Sequence, residues 1–179
     1  MNGQIEQDYG GGICQVATTI FNAVYDAGLP VVRRHNHSLY VATYPDGRDA
    51  AVSWPDLDFI WENDLTSDVL VTLSYTGGSV TCTLYGVDPH REVSTKTGSW
   101  KTGQKYGTTN IVDTSIGSDY WYTQTYGRDG SSITVWRTVR DEKGNVIIED
   151  AFESNYDPKN QVNVFGSQKL LNSYVKSSS

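Results

Sequence analysis

Hydrophobic positions fall into helical spacing near the start of the chain. Val16, Ile20, Val24 and Ala27 recur on one face, with Ala23 filling the same stripe. The spacing predicts a helix over about residues 14–27, and Gly28 and Pro30 stand where a C-terminal glycine and a stop belong. Period-two alternation follows. Residues 31–44 read as a strand with a break near Arg33-Arg34, placing His35, His37, Leu39 and Val41 on one face and Asn36, Ser38 and Tyr40 on the other. Tyr44-Pro45-Asp46-Gly47 is a turn, because proline presets φ and glycine relaxes it. Residues 49–54 and 57–62 read as strands interrupted by Pro55. The runs 69–76 and 79–86 flank Gly77-Gly78, a hairpin signal.

The second half differs in texture. Residues 93–112 are rich in Ser, Thr, Gly and Lys. Strands are predicted at 120–126, 132–140 and 145–152, separated by the turns 127–130 and 141–144, with a last short one at 162–165. The Ser-rich end after Tyr174 reads as frayed, and no repeat of solenoid period is present. The expected class is α+β: one N-terminal helix packed on an antiparallel sheet, followed by a β-rich C-terminal module. The expected divisions are a first domain over 1–87, a linker or extended segment over 88–110, a β module over 111–167 and a tail over 168–179.

Charge sharpens that division. Residues 1–87 hold three Arg, no Lys and ten acidic residues, whereas residues 88–179 hold eleven basic and eleven acidic ones. The shift suggests a boundary near Asp88-Pro89. An acidic first half argues against nucleic acid or an anionic membrane as partner and suits a polymer that offers amines. Two cysteines, Cys14 and Cys82, are too few for a disulfide framework, though one bridge between them is open. No stretch approaches the about 20 apolar residues of a membrane span, and Met1-Asn2-Gly3 does not open a signal peptide.

Cys14 is the candidate for chemistry. It follows three glycines and opens the predicted helix, where unpaired amides and the positive end of the macrodipole favour a thiolate. Gly12 lets a substrate backbone approach closely. The Cys14 amide and the Gln15 side chain are candidate donors to an oxyanion. An isolated cysteine is more often a small buried hydrophobe, but a cysteine nucleophile also needs a base held by a third group. His35 and His37, two of only three histidines, share one expected face and supply that base. They also resemble half a metal site, yet no third ligand stands at a suggestive spacing, so no metal or cofactor is implied. The orienting carboxylate is open between two residues. In a tight hairpin centred on Pro45-Asp46, Asp49 pairs with Ala42 and lies roughly 17 Å from His37. Asp56 pairs near His35 and is favoured by that geometry, whereas a bulge restores Asp49.

The run Tyr-Gly-Gly-Gly-Ile-Cys-Gln-Val-Ala-Thr-Thr-Ile-Phe-Asn-Ala-Val, residues 9–24, resembles the signature of the VanW family. The likeness continues through Ala27-Gly28-Leu29, Arg34-His35-Asn36-His37-Ser38, Gly47-Arg48-Asp49-Ala50-Ala51-Val52 and Asp56-Leu57, over about residues 2–65. It implies a peptidoglycan L,D-transpeptidase that forms 3–3 cross-links, with Cys14 as nucleophile. Its partners would be stem peptides and glycan, its place extracellular and cell-wall associated, and any membrane contact only through an upstream anchor. The family's domain normally begins upstream of Asn2-Gly3, and Asp58 and Trp61 stand where the family more often has basic residues. Within that chemistry Arg48 is a candidate clamp for a substrate carboxylate. Thr138-Val139-Arg140, Gly144-Asn145, Glu149, Tyr156-Asp157-Pro158 and 162–166 are similar to the cell-wall module named for its five glycines. Tyr120, Trp121, Tyr122 and Trp136 would there stack on sugars or fill a thin β core. The alternatives to catalysis by transpeptidation are a non-catalytic wall-binding protein and a cysteine hydrolase of the same stems.

Overall fold

A computed structural model describes residues 12–177; the Tyr9–Gly11 part of the glycine run lies outside the described residues. The elements are α1 (Ile13–Asp26), β1 (Val31–Arg33), β2 (Ile60–Trp61), β3 (Leu70–Thr76), β4 (Ser79–Tyr85), β5 (Glu92–Thr97), β6 (Lys101–Thr102), β7 (Thr108–Val112), β8 (Trp121–Thr125), β9 (Ser131–Arg140), β10 (Val146–Tyr156), β11 (Gln161–Phe165) and α2 (Gln168–Ser177). The class is α+β, with an N-terminal helix, mostly antiparallel strands and a β-rich second half. The chain forms two compact units, one of residues up to Trp100 plus Ser132–Asn155, the other of Lys101–Ser131 plus the residues from Tyr156 on.

In the first unit α1 ends as the sequence predicts. Gly28 adopts φ 67. Leu29 N–H reaches Val24 O at 3.1 Å and Gly28 N–H reaches Tyr25 O at 3.1 Å, the paired bonds of a Schellman stop. The inward stripe buries Ala17, Phe21, Val24 and Tyr25. Phe21 meets Tyr25, Phe59 and Phe152 edge-on at centroid distances of 5.9, 5.6 and 5.4 Å, the geometry aromatic quadrupoles prefer.

The other wall of that core comes from far along the chain. The strands run in the order β10-β9-β5, and β5 pairs with β9 antiparallel from Glu92↔Arg140 to Thr97↔Val135. Ile133, Val135, Arg137 and Val139 alternate inward on β9. Arg137 is 1% exposed. Its guanidinium donates to Tyr25 O at 3.0 Å and Leu29 O at 3.1 Å and pairs with Asp150. A cation thus sits at the C-terminal end of the helix, the end that favours positive charge. The segment 88–110, expected as a linker or extended segment, contributes β5 to the first unit, and residues 132–155 complete its core.

Three expectations differ. Residues 31–44 hold only the three-residue β1, paired with β2 through Val31↔Trp61 and Arg33↔Ile60. Residues 49–54 form no strand, and 57–62 contribute only β2 and an isolated Ser53↔Leu57 bridge. The end after Tyr174 continues α2 to Ser177. The β3–β4 hairpin forms around Gly77-Gly78 in full register, Leu70↔Tyr85 to Thr76↔Ser79.

In the second unit β11 lies between β7, parallel to it, and β8, antiparallel. Trp121 stacks on Phe165 at 5.5 Å, and Tyr174 of α2 closes over both rings at 5.0 and 5.1 Å. Beneath them the buried Asn163 bonds Asn110 and Thr123 across the three strands, so its polar atoms are satisfied in the interior.

Candidate active site

The site is built by an extended run, 48–52, laid along the polar edge of α1. Cys14 Sγ donates to Val52 O at 3.4 Å. Thr18 Oγ1 donates to Ala50 O at 3.1 Å and accepts Ala50 N–H at 2.9 Å. Asn22 donates to Arg48 O at 2.9 Å. The periods match: four helical residues rise about 6.0 Å and two extended residues advance about 6.6 Å. Helix positions 14, 18 and 22 therefore serve backbone positions 52, 50 and 48 in turn. This is why 49–54 forms no ladder: side chains of the helix satisfy the backbone groups another strand would take.

The odd positions face the other way, toward residues 34–37. Ala51 N–H bonds His35 O at 2.8 Å. Asp49, 2% exposed, sends its carboxylate to the same side. Its Oδ2 accepts the backbone N–H of His37 at 2.8 Å and meets His37 Nδ1 at 2.7 Å. Its Oδ1 accepts from Arg34 Nη2 at 2.7 Å. Arg34 also donates to Gly47 O, Glu153 O and Ser154 Oγ. Arg34 and Asp49 side chains are each 3% exposed, a buried charge pair tolerable because nearly every donor and lone pair is engaged. With Nδ1–H given to Asp49, the neutral imidazole carries its free lone pair on Nε2, the tautomer a general base requires.

Cys14 occupies the second helical position. Gly12 caps the helix in the left-handed region, φ 104, with no side-chain cap. The first amide bonded within the helix is Val16 N–H, to Gly12 O, so the amides of residues 13–15 have no partner in the helix. Cys14 and Cys82 are both free thiols, each half-buried. Burial raises the pKa of the Cys82 thiol, which disfavours its thiolate.

Tyr44 lies among these groups. Its ring stacks on His37 with centroids 5.3 Å apart and planes at 28°. Burial raises the pKa of its phenol, and negative charge on Cys14 and then on Asp49 raises it further, against the neighbouring Thr18 hydroxyl, which lowers it. Sulfur, imidazole and carboxylate are thus gathered around one tyrosine. From sequence Tyr44 reads only as a turn residue; an aromatic three positions before Gly47, in a segment already carrying both histidines, is the signal that points to it.

Of the residues singled out from sequence, His37 and Asp49 are in direct contact, and Cys14 lies near them only through Tyr44, whose ring stacks on His37 and whose phenol responds to charge on Cys14, with Gly12 and the exposed Gln15 at the helix mouth. Three others stand apart. Asp56 is exposed in the Ser53–Leu57 turn, its N–H on Ser53 O at 2.9 Å; the hairpin that favoured it does not form. His35 is held by its backbone carbonyl, and its ring makes no hydrogen bond among the described residues. Arg48 points to the far end of α1, its Nη2 on Asp26 Oδ1 at 2.6 Å and its guanidinium 3.9 Å from the Tyr25 ring centre. Asp26 is twelve residues from Cys14, about 18 Å along the axis, so Arg48 does not clamp a substrate at the sulfur. Among the described residues no group of three or more His, Cys, Asp or Glu could hold a metal.

The fold and site define an α+β unit with a helix-mouth cysteine and a histidine locked to a buried aspartate. Its first half is VanW-like: residues 1–85 match the family described as VanW like protein. A relative, the uncharacterized protein YoaR of Bacillus subtilis (strain 168), is 44% identical over 88 residues, 49% of this chain. The chain spans only 29% of that relative's length. Two G5 domains of known structure also align. HP0197-G5 shows 21% identity, TM-score 0.22, over 42% of this chain and 99% of that one. The IgA1 protease G5 domain shows 11% identity, TM-score 0.28, over 46% and 98%. Overlap of that quality leaves the second half to rest on its own strand pairing.

Proposed function

We propose that this protein is a cysteine-dependent acyltransferase of the cell wall, and in particular an L,D-transpeptidase acting on peptidoglycan stem peptides outside the cell. The observation that carries the reading is the Asp49–His37 pair, which fixes a basic Nε2 beside the same tyrosine that senses Cys14. The VanW-like match of residues 1–85 supports the substrate class.

In the proposed reaction His37 takes the Cys14 proton and the thiolate attacks the carbonyl carbon of a stem diamino acid. The amide C–N bond to D-alanine breaks as His37 returns the proton to the leaving nitrogen, and a thioester remains. An amine of a second stem attacks the thioester, loses a proton to His37, and releases the thiolate as the new amide forms. The unpaired amides at the helix mouth face the developing oxyanion.

The Cys14–Val52 hydrogen bond favours a second reading, a structural thiol in a non-catalytic wall-binding protein. Two measurements separate the two. Tetrapeptide stems incubated with the protein should yield free D-alanine and cross-linked dimer, and Cys14→Ala should abolish both. Release of D-alanine by the Cys14→Ala protein would refute the nucleophile. Cleaved monomer without dimer would turn the reading to a hydrolase. Iodoacetamide at pH 6 should label Cys14 faster than Cys82, whose thiol pKa burial raises.

A further inference from the structure

Tyr44 is held as firmly as the groups around it. Its N–H bonds Val41 O at 3.2 Å, and the turn that follows is closed by Arg48 N–H on Pro45 O at 2.9 Å. Gly47 in that turn has φ 67 and sits under Val135 and Ile133, so closely that an added Cβ would lie 2.8 Å from Val135. The ring is clamped on one face by the His37 imidazole. Its oxygen lies toward Thr18, one turn along α1 from Cys14 and on the same stripe of the helix. The Thr18 hydroxyl is already engaged with both backbone groups of Ala50. It is therefore a poor competitor for the phenol proton when a stronger acceptor arrives.

We propose that Tyr44 is a catalytic residue: its hydroxyl donates a hydrogen bond to the carbonyl oxygen that becomes negative when Cys14 attacks, completing a hole whose other donors are the helix-mouth amides. The inference rests on the acyl-transfer reading and deepens it. No atom changes hands at Tyr44; the phenol keeps its proton while the C=O electron pair moves to oxygen and back. Burial raises the phenol's pKa from an ordinary 10.0 that already lies above the neutral range, so the proton stays in place, as a donor requires.

The test uses Tyr44→Phe, which keeps the ring on His37 and removes only the hydroxyl, in the full chain. Two reactions of Cys14 are compared. Acylation by p-nitrophenyl acetate passes through an oxyanion and is read as p-nitrophenolate release; alkylation by iodoacetamide is a direct displacement with no oxyanion. The expected result is acylation slowed about 100- to 1,000-fold, the cost of losing one such donor, with alkylation and its pH dependence unchanged. An unchanged melting temperature by tryptophan fluorescence shows that the variant has folded. Equal slowing of both reactions would overturn the assignment, since Tyr44 would then act on the thiol or on His37. Acylation within threefold of the parent would overturn it too. Acylation of the parent chain no faster than that of Cys14→Ala would overturn the nucleophile reading, and this assignment with it.

Discussion

Asp49→Asn is the change that most directly tests how the site is held. The carboxylate accepts three hydrogen bonds in a place 2% exposed: Arg34 Nη2 on one oxygen, His37 N–H and His37 Nδ1–H on the other. An amide has one acceptor and one donor end. If the NH2 replaces Oδ2 it faces the His37 backbone N–H, which cannot change role; if it replaces Oδ1 it faces a guanidinium N–H. Either rotamer leaves a buried donor facing a donor, about 1–3 kcal/mol. It also strips Arg34, 3% exposed, of its counter-charge, and breaking a buried pair costs about 3–5 kcal/mol in all. Against a typical stability of about 5–15 kcal/mol, that is a large fraction. Urea unfolding followed by tryptophan fluorescence should show the midpoint fall with an unchanged slope. A variant within 1 kcal/mol of the parent, on the order of the cost of a single neutral hydrogen bond, would show that Asp49 is not the anchor described.

Gly47→Ala should lower stability by about 2–4 kcal/mol, because φ 67 disfavours a side chain and the new Cβ meets Val135 at 2.8 Å; thermal melts would register it. A chain ending at residue 87 should lack a cooperative unfolding transition, since it loses Arg137, Phe152 and the Ser154 contact of Arg34; amide exchange reads this, and protected amides in 12–87 would argue otherwise. The pKa of Tyr44 is raised above the ordinary 10.0, so the folded state holds its proton longer than the unfolded state. Stability from this source is whole below pH 10 and is lost as pH rises through the folded value. The parent should therefore lose more melting temperature than Tyr44→Phe between pH 9 and pH 11, and an equal loss would contradict it.

The helix and the β3–β4 hairpin were legible because their signals are local. Apolar residues at 3.6 spacing with Gly28 and Pro30 behind them leave α1 little choice, and Gly77-Gly78 between two β-rich runs does the same for the hairpin. The period-two run at 31–44 misled because alternation reports which side chains face inward, not what satisfies the backbone. Here the Asn36 side chain serves the His37 carbonyl, and Thr18, Asn22 and Arg34 side chains serve the carbonyls of the facing run 48–50. The same error displaced Asp49: measured along an ideal hairpin it lies far from His37, whereas opposed extended segments bring the two together. Arg137 gave no signal, because its partners Tyr25 and Leu29 are more than a hundred residues away. The α2 helix had one: Leu170, Leu171, Tyr174 and Val175 keep helical spacing, masked by the serines around them.

The residues proposed to carry the chemistry and those that hold them in place lie in different stretches of the chain. The VanW-like match ends at residue 85 and contains Cys14, His37, Tyr44 and Asp49. Yet Gly28 packs under Val139, Gly47 under Val135, Asn36 bonds Asn155 O and Arg34 bonds Ser154. A base in acyl transfer must keep its lone pair aimed to within a fraction of an ångström of the productive geometry. In this unit the aim of His37 depends on Asp49, that of Asp49 on Arg34, and that of Arg34 on the backbone of β10. Substitutions in 132–155 should therefore change reactivity at Cys14 without touching it, and the order of sensitivity should follow that chain of contacts outward from the imidazole.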